Sequence, residues 1–173
     1  MGENLAIVYL STLVVLLGGA CWVLFRQILK TRRIEGTLSR LQNKLSKEKG
    51  TAQDYYELGS LYLDKKLYVQ AIAQLQKALK AKDLEGEENV ALVYNALGYA
   101  YTAREQYDLA LRQYKEAVKL KPDYTRAWNN LGFAYDRKNL KTQALEAYEE
   151  ALKTDPKNST AKDRIKTLKK VLD

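Results

Sequence analysis

The chain has no histidine at any of its 173 positions, and it has one cysteine, two prolines and one methionine. Without histidine it cannot form catalytic pairs of the Ser-His or Cys-His type, or metal sites that rely on imidazole. The cysteine, Cys21, lies inside an apolar run, where a reactive thiolate is costly to form. These absences predict a protein that is not an enzyme and that holds neither a metal nor a cofactor.

Pairs of carboxylates are the remaining source of acid-base chemistry. Glu87 precedes Glu88 and Glu149 precedes Glu150. Adjacent residues do not face one another on a helix, so these pairs are interpreted as solvated surface charge.

Residues 5–25 contain no charged side chain. A helix of this length spans about 31 Å, which matches the hydrocarbon core of about 30 Å. Tyr9 and Trp22 lie near its two ends, where amphipathic rings favour the membrane interface. The pattern predicts a transmembrane anchor over residues 1–27 that contacts lipid through residues 5–25.

The charges beside this run distinguish an anchor from a cleaved leader. Only Glu3 precedes it among charged side chains, whereas eight lysines and arginines follow between residues 26 and 49, the reverse of the leader pattern. The stretch ending at Cys21 is similar to a lipoprotein cleavage site, but Trp22 and three more apolar residues continue the run. The positive-inside rule places the amino terminus outside and the remainder on the cytoplasmic side or its organellar equivalent.

Residues 28–50 are predicted to form a basic amphipathic stalk. Its apolar residues recur at spacings of four, three and four, which is one stripe of a helix. We favour a stalk lying on anionic lipid headgroups. A dimerising coiled coil is the alternative, although the stripe covers fewer than two heptads, and the oligomeric state stays open. The stripe consists of Ile34, Leu38, Leu41 and Leu45.

Three later segments share one pattern, in which an aromatic residue is followed at fixed spacing by Leu-Gly and then by tyrosine. A second pattern of small and large residues follows each copy, and a proline closes the second and third copies. The first halves are Tyr55-x2-Leu58-Gly59-x2-Tyr62, Tyr94-x2-Leu97-Gly98-x2-Tyr101 and Trp128-x2-Leu131-Gly132-x2-Tyr135, and the second halves are Ala71-x3-Leu75-x2-Ala78, Ala110-x3-Tyr114-x2-Ala117 and Ala144-x3-Tyr148-x2-Ala151.

These motifs resemble those of the tetratricopeptide-repeat family. The resemblance implies an all-α, right-handed solenoid of helix pairs that presents a groove to a partner protein. The repeats are assigned to residues 52–85, 91–124 and 125–158 within an array over 51–158.

The spacing of the repeats is uneven. Gly98 and Gly132 are 34 residues apart, whereas Gly59 and Gly98 are 39 apart. The five extra residues fall near residues 83–89 and predict a long acidic loop between repeats one and two. Residues 159–173 are predicted to be a basic capping helix that covers the last apolar face through Ala161, Ile165, Leu168 and Leu172.

Charge is concentrated at the two ends of the chain. Residues 1–50 carry a net charge of +5 and residues 157–173 carry +4, while residues 51–156 carry −1. Nucleic-acid binding needs a basic stripe on the folded domain, so no nucleic-acid partner is expected.

Helix periodicity predicts which side chains of the first helix of each repeat line the groove. The aromatics Tyr56, Tyr99 and Phe133 have no role in the repeat core, so they are predicted binding hot spots. The alternative is that they pack against the neighbouring helix. Asn95 and Asn129 are expected to hold the backbone of an extended peptide. The full predicted set is Gln53, Tyr56, Ser60, Leu63, Leu92, Asn95, Tyr99, Thr102, Arg126, Asn129, Phe133 and Asp136.

Some members of the family grip the acidic tails of chaperones with a clamp of lysine, asparagine and arginine. Only Arg126 at the corresponding positions could serve such a clamp, so chaperone docking is disfavoured. The positions are Tyr56, Ser60, Ala96, Arg126 and Asn130.

Taken whole, the anchor, stalk, three repeats and cap resemble the small tetratricopeptide proteins of cyanobacterial and plastid thylakoids that assist photosystem I assembly. The resemblance implies a non-catalytic assembly scaffold with its repeats facing the stroma or cytoplasm and its amino terminus in the lumen. Photosystem I subunits or intermediates are the implied partners. The same layout also occurs in protein-import receptors and in cytochrome c maturation factors, which remain the alternatives.

Overall fold

The computed structural model describes the backbone of residues 2–172 and the side chains of residues 9, 10 and 12–172. The predicted membrane span begins at residue 5, so the side chains of residues 5–8 lie outside the described part. Residues 2–172 form eight helices and no strand, in two compact units that divide after Lys47. The helices are α1 (Gly2–Lys47), α2 (Ala52–Asp64), α3 (Tyr68–Lys80), α4 (Glu87–Ala103), α5 (Tyr107–Leu120), α6 (Thr125–Arg137), α7 (Lys141–Thr154) and α8 (Ser159–Leu172).

Helix α1 is continuous over 46 residues, a length of about 69 Å. The predicted anchor and stalk are therefore parts of one helix, and Gly36 does not interrupt it. The apolar side chains described between Tyr9 and Leu29 are exposed. Thr12 donates its hydroxyl to the Tyr9 carbonyl at 2.9 Å, which satisfies a polar group inside the apolar run.

Helices α2 to α7 form three antiparallel pairs, and we call α2, α4 and α6 the A helices and α3, α5 and α7 the B helices. The B-helix part of the predicted repeat core is buried, and the aromatic residues of its A helices are partly buried. The six alanines of the B-helix motif are 0% exposed, which lets each A helix approach closely. Those residues are Ala71, Ala78, Ala110, Ala117, Ala144 and Ala151.

The turn between the A helix and the B helix has the same geometry in all three repeats. The carbonyl of the tyrosine that ends the A-helix motif accepts a backbone hydrogen bond from the residue before the B helix, at 2.8 to 2.9 Å. One residue in each turn adopts a positive φ of 58 to 60°, as helix C-terminal motifs require. Those residues are Lys66, Glu105 and Asn139.

The prediction of a long acidic loop between repeats one and two was largely wrong. The inserted residues add a turn to α4, which has 17 residues where α2 and α6 have 13. Glu87 and Glu88 lie in this extra turn, where carboxylates stabilise the positive end of the helix dipole. Asp83 lies in the short loop that remains. Its carboxylate accepts a hydrogen bond from the backbone amide of Ala52 at 3.1 Å and so caps α2.

Helix α8 covers the end of the array as predicted, with one difference. Ala161 and Leu168 are buried against Tyr148 and Ala151, and Ile165 packs beside them. Leu172 is 48% exposed, because it lies in the final turn beyond the last contact with α7.

Candidate partner-binding groove

The three A helices enclose a cavity of about 480 Å³, which we call the A-helix groove. Its volume lies within the range of about 300–1,000 Å³ typical of ligand clefts. The groove is lined by Tyr56, Ser60, Leu63, Asp64, Lys66, Asn95, Ala96, Tyr99, Tyr124, Arg126 and Asn130.

Six predicted residues lie in this lining: Tyr56, Ser60, Leu63, Asn95, Tyr99 and Arg126. They come together because positions one turn apart on an A helix share one face, and the repeat places equivalent faces side by side. Their role in binding stays a prediction.

The other six predicted residues lie outside this lining. Gln53 and Leu92 line a neighbouring pocket of about 180 Å³. The Thr102 hydroxyl lies 3.2 Å from the hydroxyl of Tyr114. Phe133 is 37% exposed on α6. The Oδ1 atom of Asn129 is buried and has no hydrogen-bond partner among the described residues, so it remains an unsatisfied acceptor.

Asp136, the sixth, is held by cations of the array. Its carboxylate accepts a hydrogen bond from Lys141 at 2.5 Å and lies 4.0 Å from the guanidinium of Arg164. These contacts join α6 to α7 and to the capping helix. Asp136 therefore already has cationic neighbours within the array, and its contact with a partner stays a prediction.

The amide of Asn95, predicted to hold a peptide backbone, has hydrogen-bond partners within the array, and its role in binding stays a prediction. The side chain is 8% exposed. Its Oδ1 accepts a hydrogen bond from Asn130 at 2.9 Å, and its Nδ2 donates to the Tyr124 hydroxyl at 3.2 Å. This network joins α4 to α6 and fixes the spacing of the groove walls.

Tyr124 completes the network from the turn between repeats two and three. Burial raises the pKa of its phenol above the ordinary value, and the nearby Tyr56 raises it further, while Arg126 and the bond from Asn95 act in the opposite direction. The hydroxyl therefore stays protonated at neutral pH. It can donate a hydrogen bond to a bound partner while it accepts one from Asn95.

Exposed aromatic surface is unevenly distributed along the groove face. Tyr99 is 47% exposed and Phe133 occupies the equivalent position one repeat later. Repeat one has Ser60 at that position. The aromatic surface open to a partner is therefore concentrated on repeats two and three.

The cations of the groove were only partly predicted. Arg126 is exposed at the groove edge as expected. Lys66 also lines the groove, although it belongs to the turn after α2 and not to a helix face. Helix periodicity cannot place a turn residue, and the same limit applies to Tyr124.

All five positions of the chaperone-tail clamp lie in the groove lining, but their side chains do not form such a clamp. Tyr56, Ser60 and Ala96 cannot pair with a carboxylate by charge, and Asn130 is bonded to Asn95.

Among residues with described side chains, no group of three or more acidic, cysteine or histidine residues is arranged to hold a metal ion.

Family models match most of the array. A tetratricopeptide-repeat model matches residues 53–83, a TPR repeat model matches 98–139, and a third tetratricopeptide-repeat model matches 125–158.

Two solved structures show the same fold. MamA aligns with a TM-score of 0.75 at 23% identity, over 82% of this chain and 80% of that one. The first TPR domain of Spaghetti (RPAP3), solved with an HSP90 peptide, aligns with a TM-score of 0.65 at 23% identity, over 70% of this chain and 93% of that one. At these identities the likeness establishes the fold alone.

Three relatives share more of the sequence. The protein ycf37 of Cyanophora paradoxa is 42% identical over 60% of this chain and 60% of its own length. The chloroplastic TPR protein PYG7 of Arabidopsis thaliana is 37% identical over 69% of this chain and 40% of its own length. The ycf37 protein of Guillardia theta is 36% identical over 72% of this chain and 70% of its own length. The chain therefore belongs to the ycf37 family of tetratricopeptide-repeat proteins.

Proposed function

We propose that this protein is a membrane-anchored, non-catalytic scaffold that holds a subunit or intermediate of a membrane complex in its A-helix groove. The observation that carries the proposal is the groove itself, where Tyr99, Tyr56 and Arg126 converge on a cavity of about 480 Å³. Aromatic and arginine side chains of this kind dominate protein-binding energy, because they bury large areas at low entropic cost.

Anchoring is supported by α1. It is the one helix among the described residues that is long and apolar enough to cross a membrane, and its side chains described between Tyr9 and Leu29 are exposed within this chain. Its basic residues follow the apolar part, and Arg26 lies 5.5 Å from the ring of Trp22 at the boundary. In this proposal residues 1–27 are the anchor, 28–50 the stalk, 51–158 the repeats and 159–173 the cap.

Photosystem I is the proposed client complex, and the thylakoid is the proposed membrane. The proposal rests on the resemblance of the whole layout to thylakoid assembly factors and on the chloroplastic relative in Arabidopsis. The repeats would face the stroma or cyanobacterial cytoplasm, with the amino terminus in the lumen.

Affinity purification from solubilised thylakoids, followed by mass spectrometry, tests the client. We expect photosystem I subunits to be retained by the wild-type chain and lost when Tyr99 is changed to alanine. A peptide array gives the contrary test, since broad recognition of short unrelated peptides would identify an import receptor instead. Turnover by the purified protein that is abolished by one groove substitution would contradict a non-catalytic role.

Protease protection tests the orientation. Protease added to the stromal or cytoplasmic face of intact membranes should remove the repeats. Digestion only from the lumenal face would reverse the proposed topology.

A further inference from the structure

A second cavity lies on the opposite side of the helix pairs, between the B helices of repeats two and three. It has a volume of about 500 Å³, and we call it the B-helix furrow. Its floor contains Trp128, Leu131 and Tyr135 from α6. These residues are spaced by three and four positions and share one helix face. Leu131 is 4% exposed, so the partly buried rings of Trp128 and Tyr135 supply the apolar surface that is open in the furrow.

The two walls of the furrow carry opposite charges. Helix α5 contributes Lys115 and Lys119, and α7 contributes Glu146 and Glu150. The members of each pair are one helical turn apart. The lining therefore has a basic edge, an acidic edge and no net charge.

Neither charged wall is neutralised by the other. Lys115 lies 5.7 Å from the ring centroid of Tyr135, and Glu150 accepts a hydrogen bond from Lys153 on its own helix. Within the described part of the chain, Lys119 and Glu146 take part in no ion pair or hydrogen bond. Each wall thus keeps a charge available to a ligand.

Alanine at one position keeps this furrow open. Ala147 lies in its lining, whereas the equivalent residue one repeat earlier is Gln113. The position of Lys115 is also occupied one repeat earlier by glutamine, and that residue, Gln76, donates a hydrogen bond to the Tyr101 hydroxyl at 3.3 Å. The Gln76 side chain thus joins α3 to α4 in the equivalent space between repeats one and two, where Gln113 stands at the position of Ala147.

We propose that the B-helix furrow binds an amphipathic helix of a partner protein, with acidic residues along one edge and basic residues along the other. An apolar helix face matches the floor, and helical residues four positions apart match the wall charges. The absence of net charge disfavours an anionic lipid surface or a nucleic acid, which would need a basic lining. The oppositely charged walls also set the direction of the bound helix. If the helix were reversed, its acidic edge would face the acidic wall and its basic edge the basic wall.

Synthetic helical peptides provide the probe. The full chain is purified in detergent with Trp22 changed to phenylalanine, so that the indole of Trp128 in the furrow reports binding by fluorescence. One peptide carries an apolar face, an acidic edge and a basic edge, and a second has the same composition with the charges intermixed. We expect the polarised peptide to bind at least about tenfold more tightly at low salt. Equal binding would overturn the proposal.

Reversing the charges of the basic wall on α5 tests whether that wall contacts the acidic edge of the peptide. The double variant Lys115→Glu, Lys119→Glu should weaken binding by about tenfold. A peptide whose acidic edge is replaced by lysines should restore binding to this variant. Thermal melts verify folding, and Lys119→Glu alone serves if the double variant melts early. Failure of the exchanged peptide to bind a folded variant would overturn the proposal.

Filling the furrow is the matched steric test. Ala147→Gln installs the side chain present at that place in repeat two and should abolish peptide binding, while retention of the complex bound in the A-helix groove is unchanged. Two results would assign the furrow to another occupant and overturn the proposal. One is a Trp128 response to phosphatidylglycerol vesicles as strong as that to the peptide, and the other is self-association of the chain abolished by Ala147→Gln.

Discussion

The first repeat differs from the second and third in how its two helices are held together. In repeat two the glycine of the A helix faces an aromatic ring, and a Cβ atom at Gly98 would lie 2.5 Å from Tyr114. Repeat three has the same arrangement. In repeat one the facing residue is the buried Leu75, and a Cβ atom at Gly59 would lie 2.8 Å from its Cγ atom. An aromatic ring therefore faces the glycine in two repeats, while a branched aliphatic side chain faces it in repeat one.

Repeat one has additional hydrogen bonds at the start of its A helix. Thr51 and Asp54 form a reciprocal capping box at the start of α2, and Asp83 adds a second acceptor there. No side-chain cap bond is present at the starts of α4 and α6. The repeats thus differ both in the residue that faces the glycine and in the bonds at the start of the A helix.

The largest expected effect is loss of an aromatic core residue. Tyr114 is 1% exposed, so Tyr114→Ala should lower the free energy of unfolding by about 3–5 kcal/mol. Tyr101 belongs to the predicted core but is only partly buried, so Tyr101→Ala should cost less. Urea titration of both variants measures the difference. Equal losses of unfolding free energy in the two variants would mean that the cost of removing the ring does not depend on how deeply it is buried.

The glycines sharpen the comparison between repeats. Gly98→Ala should destabilise by about 1–3 kcal/mol, because the ring of Tyr114 must move. Gly59→Ala should destabilise less, since the contact with Leu75 is 2.8 Å instead of 2.5 Å and alanine favours the helix over glycine by about 1 kcal/mol. Thermal melts of both variants provide the test. An equal fall in the melting temperatures of the two variants would mean that repeat one tolerates a Cβ atom at its glycine no better than repeat two does.

The same comparison extends to binding. Tyr99→Ala should weaken partner affinity by about 1–3 kcal/mol with a smaller effect on stability, because Tyr99 is 47% exposed. Ser60→Ala, the equivalent change in repeat one, is the control and should have little effect. Partner retention and thermal melts are measured together. A loss of stability by Tyr99→Ala as large as that of Tyr114→Ala would assign Tyr99 to the core.

The smallest effect emerges only at alkaline pH. Burial raises the pKa of Tyr148 to about 12, with Arg164 opposing the rise and Asp136 adding to it. Since an unfolded tyrosine has a pKa of about 10, the stabilisation is complete below about pH 10 and is lost as the pH rises toward 12.

Tyr148→Phe tests this assignment. Its hydroxyl makes no hydrogen bond to the described residues, so the variant should melt like the wild type at pH 7 and above it at pH 11. Repeat one has leucine at this position and should not contribute. Parallel loss of stability by variant and wild type above pH 10 would refute the assignment.

Much of the fold could be predicted because its information is local. The spacing of leucine, glycine and tyrosine marks helix faces, and the small residues of the B helices identify the closest approach. The extension of α4 was missed because an acidic segment suits a loop and the first turn of a helix alike. The continuity of α1 was missed because the composition of the chain changes near residue 26 while its helical conformation does not.

The candidate groove was predictable only as a set of helix faces. Periodicity identified Tyr56, Tyr99 and Arg126, which lie on regular helical positions. It missed Tyr124 and Lys66, which come from turns. It also could not anticipate that Asp136 pairs with Arg164, because that cation belongs to the capping helix.

By itself the sequence determined the number and register of the repeats, the apolar helix of membrane-spanning length and the exclusion of histidine chemistry, since each depends on residue type and spacing along the chain. The tertiary structure alone decided which polar groups are left for a partner. Asn95 bonds to Asn130, 35 residues away, and Gln76 bonds to Tyr101, 25 residues away. Such pairs form where one repeat stacks on the next, and the periodicity of a single helix carries no information about which side chains meet there.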